Sequence, residues 1–580
     1  MMLHKFVFLW YNNISVPAAQ SSNSVFLTLL RVIMPKIGCI RAYVAACIML
    51  LSAVAHSFGT VEPLGLDYAG IYRLRQLEPA LDGKGVTIAS VCRSVTYVDG
   101  KPQNDYLFNI DHNCFYDNNI EFVDGTYFAK GVSKHATYIG GILSGYDPKA
   151  FCTEIGDFAY EGAAYRAEID VYEFWRFVSM YIYGEKQFDA DVMTLSVGSV
   201  FDRWWTRGIE RYIDRSGLVV VAGIGNGSVV FDPVLYPGAS SNVIGVGVID
   251  LVKTDDGYRY ALPNSEHTST GPTSDSRCGP DIVAPGNMLV PDSNSTDGYG
   301  MCGDWSSFAA PVVTGSVALL MQKAESDPDL TDAANNKVMR AILLNSARKL
   351  PYWHKGDFGT QDDHEYAFDF LQGAGAIDTI AAYNHLIAGR GGALADGTIG
   401  WDENAIERIK DSQNIYKIDV TEPKGKYITA TLVWNRHYLN DYPFDQNYKA
   451  DTDLRLEVWG VNEDETSEML DYCDSVNDNV EHVFLPVDPN FVSYDLIVKV
   501  SGAGEDGDDY ERYGFAWSVK QPDRSEDKWK YDVNTDGKVD NDDLLEVLIR
   551  METKGSVTGD INLNGVIDVD DVLAVMDAIE

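Results

Sequence analysis

The chain is short of positive charge. It has 580 residues, with 46 lysines and arginines against 86 aspartates and glutamates, and its formal net charge at pH 7 is −40. A surface this negative repels nucleic acids and anionic membranes, so we exclude both as partners. The acidity is mostly that of a soluble surface and suits an extracellular protein, and bound cations would neutralise part of it.

Long apolar runs are also scarce. One run, Tyr43–Ala55, follows the basic residues Lys36 and Arg41 and ends in Ala53-Val54-Ala55, the small-x-small pattern of a cleavage site. It is too short to span a bilayer comfortably, so we interpret residues 1–55 as a signal region cleaved after Ala55, with Met34 as an alternative start. An uncleaved membrane anchor is the competing interpretation. No later segment is long and apolar enough to span a membrane, and we expect a secreted protein.

Cysteines are few. Two of the eight lie in the signal region, and six remain: Cys92, Cys114, Cys152, Cys278, Cys302 and Cys473. An even number in an exported protein permits disulfides, but six cysteines allow many pairings and the sequence does not choose among them.

Residues 61–390 have the pattern of an α/β domain. Continuous apolar runs, which are typical of buried parallel strands, occur at Gly85–Val91, Asp191–Ser196, Leu218–Ala222 and Val243–Val248. Helical patterns occur between them and after them, at Ala310–Lys323 and Asn336–Ala347. Strands alternating with helices predict a parallel sheet covered by helices.

Residues 395–520 have a different pattern. Apolar and polar residues alternate strictly in segments such as Ile428–Trp434, Leu454–Val458 and Tyr494–Val500. This period of two predicts an antiparallel β-sandwich, whose expected role is structural support or substrate access. Residues 521–530 are charged and contain one proline, and we interpret them as a linker.

Residues 531–580 contain an internal repeat. Each copy has oxygen-bearing side chains at positions one, three, five and twelve of a loop, a glycine at six and a backbone carbonyl at seven, which is the spacing of a Ca²⁺ loop. The predicted ligands are Asp532, Asn534, Asp536, the Lys538 carbonyl and Asp543 in the first loop, and Asp560, Asn562, Asn564, the Val566 carbonyl and Asp571 in the second. An acidic, solvated tail is the alternative.

An apolar helix is predicted after each loop. Two such loop-helix units at the C-terminus of an exported protein resemble the dockerin family, and the resemblance covers residues 531–580. It implies two bound Ca²⁺ ions and a cohesin module as partner. Through a cohesin, the chain would be attached to a scaffold or to a cell surface.

Three residues are candidates for acyl-transfer chemistry, which needs a nucleophile, a base and donors to the developing oxyanion. Ser307 in WSSFAAPVVTG begins an apolar helix, His135 lies in HATYIGGILSG, and Asn226 lies in VVVAGIGNGS after a buried strand. Taken singly, each has a plainer interpretation: a helix cap, a structural histidine and a turn residue.

Together these motifs resemble the subtilisin-like, or subtilase, family of serine proteases. The order of the three residues matches, and so do the flanking segments GKGVTIAS, LSVGS, STGPTSDSRCGPDIVAPG and GAGAIDTIAAY. The resemblance covers residues 61–390. It implies that Ser307 is the nucleophile, His135 the general base and then acid, and Asn226 the oxyanion donor. The implied substrate is a peptide bond in an extended chain.

The sequence departs from the family pattern at one decisive position. The family's catalytic aspartate follows the first strand in a D-T-G context, and here that position holds Cys92. The aspartate normally holds the imidazole in its working tautomer and stabilises the imidazolium. A thiol is a weak hydrogen-bond acceptor, and a thiolate would need a lowered pKa. Trp305 and Ser306 also replace the expected glycine and threonine, and Tyr138 replaces a second histidine.

Three interpretations remain open on the sequence alone. Another carboxylate, Asp99 or Asp111, replaces the missing aspartate in an active peptidase. Alternatively, a slow peptidase works with Ser307, His135 and Asn226 only. In the third interpretation the chain is a pseudoprotease, a peptide-binding module delivered by its dockerin, and Cys92 is structural.

Overall fold

A computed structural model gives the structure of the protein. It describes residues 60–93, 97–98, 101–102, 105–123, 131–254, 257–350, 353–356, 364–393, 397–420, 426–520, 531, 533, 539, 541–549, 551 and 567–579. The predicted signal region 1–55 and linker 521–530 lie outside these residues. So do Met34, Asp99 and most predicted calcium ligands: Asp532, Asn534, Asp536, Lys538, Asp560, Asn562, Asn564 and Val566.

The part up to residue 390 is an α/β fold. Its strands are β1 Thr60–Glu62, β2 Thr87–Cys92, β3 Tyr97–Val98, β4 Lys101–Pro102, β5 Asn119–Val123, β6 Tyr146–Cys152, β7 Gly156–Glu161, β8 Glu168–Glu173, β9 Val192–Leu195, β10 Val219–Gly223, β11 Ile244–Thr254, β12 Gly257–Pro263, β13 Ile282–Pro285, β14 Leu289–Pro291 and β15 Tyr299–Met301. Its α-helices are α1 Leu64–Tyr68, α2 Ile71–Leu77, α3 Lys134–Ser144, α4 Phe174–Phe177, α5 Trp204–Ser216, α6 Ser306–Ser326, α7 Asn336–Ser346 and α8 Thr379–Ile387. Two 3₁₀-helices, Asn113–Phe115 and Thr331–Ala333, and a π-helix, Val178–Tyr183, accompany them.

The main sheet has eight strands in the order β12-β11-β10-β9-β2-β8-β5, with β13 also paired to β11. All its pairs are parallel except β11 with β12. Helices cover both faces, because Val219 and Val221 of β10 pack in one core cluster while Val220 and Ala222 pack in another. The predicted parallel sheet is therefore confirmed.

Helix α6 begins at Ser306, which places Ser307 at its start, one turn before the apolar pattern Ala310–Lys323. Pro311 lies inside it and has no N–H to offer the carbonyl of Ser307, four residues before. The hydroxyl of Ser196, just after β9, donates to that carbonyl instead, at 2.8 Å. This tertiary bond satisfies the carbonyl that the proline leaves unpaired within the helix.

Residues 399–520 form two antiparallel four-stranded sheets. Their strands are β16 Ile399–Glu407, β17 Gln413–Asp419, β18 Tyr427–Trp434, β19 Thr452–Val461, β20 Ser467–Cys473, β21 Val480–Pro486, β22 Ser493–Ala503 and β23 Tyr510–Lys520. One sheet has the order β16-β23-β18-β21 and the other β17-β22-β19-β20. Tyr416 of the second sheet packs on Phe515 and Trp517 of the first, with ring centroids 4.7 and 5.2 Å apart. The predicted antiparallel strands are confirmed.

Buried polar side chains join these sheets to the α/β part. Asn242 Nδ2 donates to the Arg436 carbonyl at 2.9 Å, and the Arg436 N–H donates back to Asn242 Oδ1 at 2.8 Å. Asn336 Nδ2 donates to Asn435 Oδ1 at 2.7 Å, and Thr431 donates to Asn345 Oδ1 at 3.1 Å. Because these groups are buried, breaking any one bond leaves a polar atom away from water.

His437 lies at the same interface between two carboxylates. Its Nδ1 is 3.1 Å from Asp214 of α5, and its Nε2 is 3.2 Å from Glu511 of β23. Burial alone would lower the pKa of His437, but the hydrogen bonds and charges of both carboxylates raise it to about 10. The imidazolium is thus the state that joins the two parts at neutral pH.

We expect His437→Gln to lower the free energy of unfolding by about 2 kcal/mol at pH 6, a value reduced from that of a fully buried pair because the ring is partly exposed. The folded pKa lies above the unfolded value of about 6.5, so this stabilisation is complete below pH 6.5 and is lost as pH rises through about 10. Chemical denaturation of the natural protein and of His437→Gln between pH 6 and pH 10 measures this difference in the free energy of unfolding. His364→Gln, at a half-exposed ring, is the control, and a difference that does not change with pH would contradict the assignment.

Two further helices, α9 Asn541–Ile549 and α10 Val569–Ala578, lie against each other near the C-terminus. Val547, Val572 and Val575 are buried. Arg73 of α2 donates from Nη1 to the Val533 carbonyl at 3.3 Å, and its Nε is 3.9 Å from Glu546 of α9. The C-terminal segment therefore contacts helix α2 of the α/β part.

The structure settles two simpler points. All six cysteines from Cys92 to Cys473 are free thiols, so none of the disulfide pairings that the sequence permits is present among them. Within the described residues, no helix combines the length and the apolar character needed to cross a membrane.

Candidate active site

Each of the four candidate residues lies at the carboxyl edge of the parallel sheet or at the start of a helix beside it. Cys92 is the last residue of β2, and Asn226 follows β10 by three residues. His135 and Ser307 are each the second residue of a helix, α3 and α6 respectively. Ligands and substrates of parallel α/β sheets bind at this edge, so the topology alone directs the four residues to one region.

His135 is placed by the N-terminus of α3. Ser133 caps the helix by accepting from the Ala136 N–H at 3.2 Å. The imidazole packs on Phe308, the residue after Ser307, with ring centroids 5.5 Å apart. This contact brings the histidine to the start of α6.

The Nδ1 side of the His135 imidazole is buried. Only 9% of the residue is exposed, and its buried Nδ1 has no hydrogen-bond partner among the residues that the structure describes. Burial lowers the pKa of His135 to about 4, so the ring is neutral at pH 7. A buried ring nitrogen without a partner is unusual, because native proteins pair nearly all such atoms.

Cys92 does not supply that partner. Its Sγ lies 3.4 Å from Ser90 Oγ on the same strand, and the residue is 1% exposed. Burial raises the pKa of Cys92 to about 12, with the Ser90 hydrogen bond opposing the shift. The side chain is therefore a neutral thiol at neutral pH.

A carboxylate does lie beside Cys92, on the neighbouring strand. Glu173 is in register with Cys92 across the β2–β8 pair and is 3% exposed. It caps α4 by accepting from the Trp175 and Arg176 N–H groups at 3.2 and 2.8 Å. Asp111, the described member of the pair suggested as a replacement carboxylate, is exposed to solvent.

Asn226 contacts the start of α6 directly. Its Oδ1 accepts from the Ser306 N–H at 2.8 Å and from the Ser306 hydroxyl at 3.0 Å. The same hydroxyl accepts from the Gly225 N–H at 3.2 Å. Ser306, which stands where the family has threonine, thus fixes the orientation of the Asn226 amide.

Trp305 is the N-cap residue of α6 and is 39% exposed. Gly303 has φ of +105°, and a Cβ there would come within 2.8 Å of the indole Nε1. Only glycine tolerates both this backbone conformation and this contact. The bulk of Trp305 therefore lies over the Gly303 backbone at the rim of the site.

The sequence analysis missed two residues of this region, Glu173 and Asp232, and named Ser306 only as a departure from the family pattern. Asp232 accepts from Asn226 through both the backbone N–H and Nδ2, at 3.2 and 3.3 Å. Glu173 gave no signal, because its proximity to Cys92 depends on strand register.

Comparisons with known proteins identify the family. The Subtilase family (Peptidase S8) matches residues 74–375, more than half of the chain. The chain belongs to the subtilase family of serine peptidases, and the prediction of a subtilisin-like protease is confirmed at that level.

Several individual proteins are similar to it. Subtilisin-like protease SBT6.1 of Arabidopsis thaliana is 28% identical over 256 residues, which is 43% of this chain and 22% of that protein. C5a peptidase of Streptococcus pyogenes is 31% identical over 115 residues, 20% of this chain and 9% of that protein. The chain thus spans less than a quarter of the length of these relatives. The crystal structure of a serine protease of Aeromonas sobria has a TM-score of 0.35 and 15% identity, covering 76% of this chain and 89% of that one.

Proposed function

We propose that the chain is a secreted serine endopeptidase that hydrolyses peptide bonds slowly, with Ser307, His135 and Asn226 but without an orienting carboxylate. One observation carries the proposal: the buried Nδ1 of His135 has no hydrogen-bond partner within the described part of the chain, while Cys92, at the position of the family's aspartate, is a neutral thiol. The other groups needed for acyl transfer stand at the same sheet edge.

The proposed reaction uses the two nitrogens of His135 differently. Ser307 Oγ attacks the peptide carbonyl and passes its proton to Nε2, which later gives it to the leaving amine. Water then cleaves the acyl-enzyme by the same path in reverse. This sequence requires the tautomer with hydrogen on Nδ1. Without an acceptor for that N–H, neither the tautomer nor the imidazolium is stabilised.

Asn226 and the helix start would stabilise the oxyanion. Because Oδ1 of Asn226 is hydrogen-bonded to Ser306, Nδ2 is the end of the amide that would donate to the oxyanion. The N-terminus of α6 adds its positive dipole end near the negative charge that develops.

The loss of rate expected from the missing aspartate can be taken from subtilisin. In subtilisin, loss of the orienting aspartate alone lowers kcat by roughly 3 × 10⁴. This corresponds to about 6 kcal/mol of activation free energy. Turnover without it still exceeds the rate in water, because the oxyanion donor and substrate binding persist.

A second function, peptide binding without turnover, is supported by the low pKa of His135. A pKa of about 4 makes the ring a weak base at neutral pH. The same fold would then hold an extended peptide and release it intact. The two functions differ in whether Ser307 is an activated nucleophile.

A fluorophosphonate probe separates them. We expect slow covalent labelling of the full-length protein, because the probe reacts with an activated serine. Ser307→Ala should abolish labelling, and Ser293→Ala, at a partly exposed serine in a turn, is the matched control that should leave it unchanged. No labelling at high probe concentration would leave only the peptide-binding function.

We propose further that residues 531–580 are a dockerin-type module with two Ca²⁺ sites that binds a cohesin. Asp543 and Asp571, at position twelve of the two predicted loops, are both fully buried. Buried carboxylates are tolerated when they are paired or coordinate a metal, so the two residues fit Ca²⁺ ligation. The remaining predicted ligands are carboxylate, amide and carbonyl oxygens, the donors that this ion prefers.

A further inference from the structure

The side chain of Asn226 is held at both ends, by Ser306 at its oxygen and by Asp232 at its nitrogen. At one end, Ser306 donates two hydrogen bonds to Oδ1, at 2.8 and 3.0 Å. At the other, Asp232 Oδ2 accepts from Nδ2 at 3.3 Å and from the Asn226 backbone N–H at 3.2 Å. A primary amide has two N–H bonds on Nδ2, so one remains for a further acceptor.

A strained turn brings Asp232 to this position. The Asp232 N–H donates to the Gly227 carbonyl at 3.0 Å, and the Phe231 N–H donates to the Ser228 carbonyl at 3.3 Å. Phe231 has φ of +60° and is 90% exposed. A bulky residue rarely adopts this left-handed conformation, and such strain persists only where surrounding contacts hold it.

The turn is also anchored from a second segment. The Ser269 hydroxyl donates to the Asp232 carbonyl at 3.1 Å and accepts from the Gly227 N–H at 3.2 Å. Asp232 therefore cannot move away from Asn226 without breaking bonds to residue 269.

We propose that Asp232 is a positioning residue, which fixes the amide plane of Asn226 so that its second Nδ2–H faces the oxyanion. The inference rests on the proposed function, because it assigns a role to a donor of that reaction. Asp232 is partly exposed, so water screens its charge from the oxyanion while its hydrogen bond keeps the direction of the amide. A donor held in place before the reaction needs no reorganisation as charge develops.

Fluorophosphonate labelling rates of the full-length protein test the proposal. Removing an oxyanion donor lowers the rate by about 10²–10³. Asp232→Ala keeps the donor Asn226 but no longer fixes its amide, so it should slow labelling by only about 10-fold. Asp232→Asn keeps an acceptor oxygen and should stay within about 3-fold of wild type. Asp464→Ala is the matched control, because Asp464 accepts from a backbone N–H in an exposed turn beside Glu465, whose φ is +65°.

A double-mutant cycle distinguishes positioning from a general structural effect. In an Asn226→Ala background, Asp232→Ala should slow labelling no further, since the amide it positions is gone. Equal 10-fold losses in both backgrounds would overturn the proposal. So would unchanged labelling of Asp232→Ala.

An NMR measurement tests whether Asp232 positions Asn226 and does not depend on catalytic activity. In protein labelled with ¹⁵N-asparagine, the Asn226 side-chain amide signal, assigned through Asn226→Ala, should shift in Asp232→Ala and return towards its original position in Asp232→Asn. An unmoved signal overturns the inference even if the protein is active. Absent labelling of the wild-type protein overturns the proposed function instead, and the NMR result then decides alone whether Asp232 holds Asn226.

Discussion

Cys92→Asp is expected to raise kcat/KM for peptide hydrolysis about 10³-fold, because it returns a carboxylate to the region of the unpartnered Nδ1 of His135. The gain should fall short of the roughly 3 × 10⁴ lost when subtilisin lacks its aspartate. The reason is Glu173, which is buried and in register with residue 92. A second buried carboxylate beside it is partly disfavoured in its charged form.

Cys92→Asn is the matched control for this experiment. Asparagine has the shape of aspartate but no charge, so it should leave kcat/KM within about 10-fold of the natural chain. Equal rates for the aspartate and asparagine variants would mean that a carboxylate at residue 92 does not reach His135. In that case Trp305, at the rim of the site, becomes the residue to reduce in size.

The pH profile supplies a second readout for the same variant. With the pKa of His135 at about 4, the rate of the natural protein should fall only below about pH 4. A nearby carboxylate favours the imidazolium and therefore raises the pKa of the histidine. The acidic limb of the Cys92→Asp profile should accordingly move up to about pH 6–7. A limb that stays near pH 4 despite higher activity would exclude a His135–carboxylate pair.

Loss of calcium binding is the second large effect that we expect. Asp543→Asn should weaken the first Ca²⁺ site about 100-fold or more, and the Asp543→Asn, Asp571→Asn double variant should weaken both, because each removes a charged ligand from a closed loop. The measurement is calorimetric titration of the full-length protein after treatment with a chelator. Chelation alone should also raise hydrogen exchange in α9 and α10, since the ligands order the loops before them.

Asp542→Asn provides the control for the calcium experiment. Asp542 neighbours Asp543 on the same helix but is exposed, whereas Asp543 is fully buried. The control should bind two Ca²⁺ ions with unchanged affinity. If Asp543→Asn and the double variant bind Ca²⁺ as tightly as the natural protein does, the buried carboxylates have a purely structural role. The dockerin proposal then fails.

The sequence predicted the α/β architecture well, for a physical reason. Strands such as β9 and β10 are buried on both faces, so their apolar runs are continuous and conspicuous. The apolar pattern Ala310–Lys323 marks α6 except for its first turn, where Ser306 and Ser307 are polar, and Pro311 inside the helix removes one helical hydrogen bond. The compensating bond from Ser196 to the Ser307 carbonyl depends on tertiary structure and leaves no trace in sequence spacing.

The candidate site was predictable only in part. His135, Asn226 and Ser307 stand in recognisable motifs, and their roles stay predictions. Two of their neighbours could not be found in that way. Glu173 faces Cys92 through strand register, and Asp232 meets Asn226 through a turn closed by a left-handed phenylalanine. The protonation state of Cys92 was equally inaccessible, because it depends on burial.

The paired hydrogen bonds between Asn242 and Arg436 have a consequence for how the molecule melts. The Asn242 side chain bonds to the main chain of Arg436 as a neighbouring strand would. Separating the antiparallel sheets from the α/β part would break these buried hydrogen bonds. The free energy of that separation is therefore unfavourable while both parts stay folded. We therefore expect the antiparallel sheets and the α/β part to unfold together, and a chain cut at residue 390 to be less stable than the α/β part is within the full-length protein.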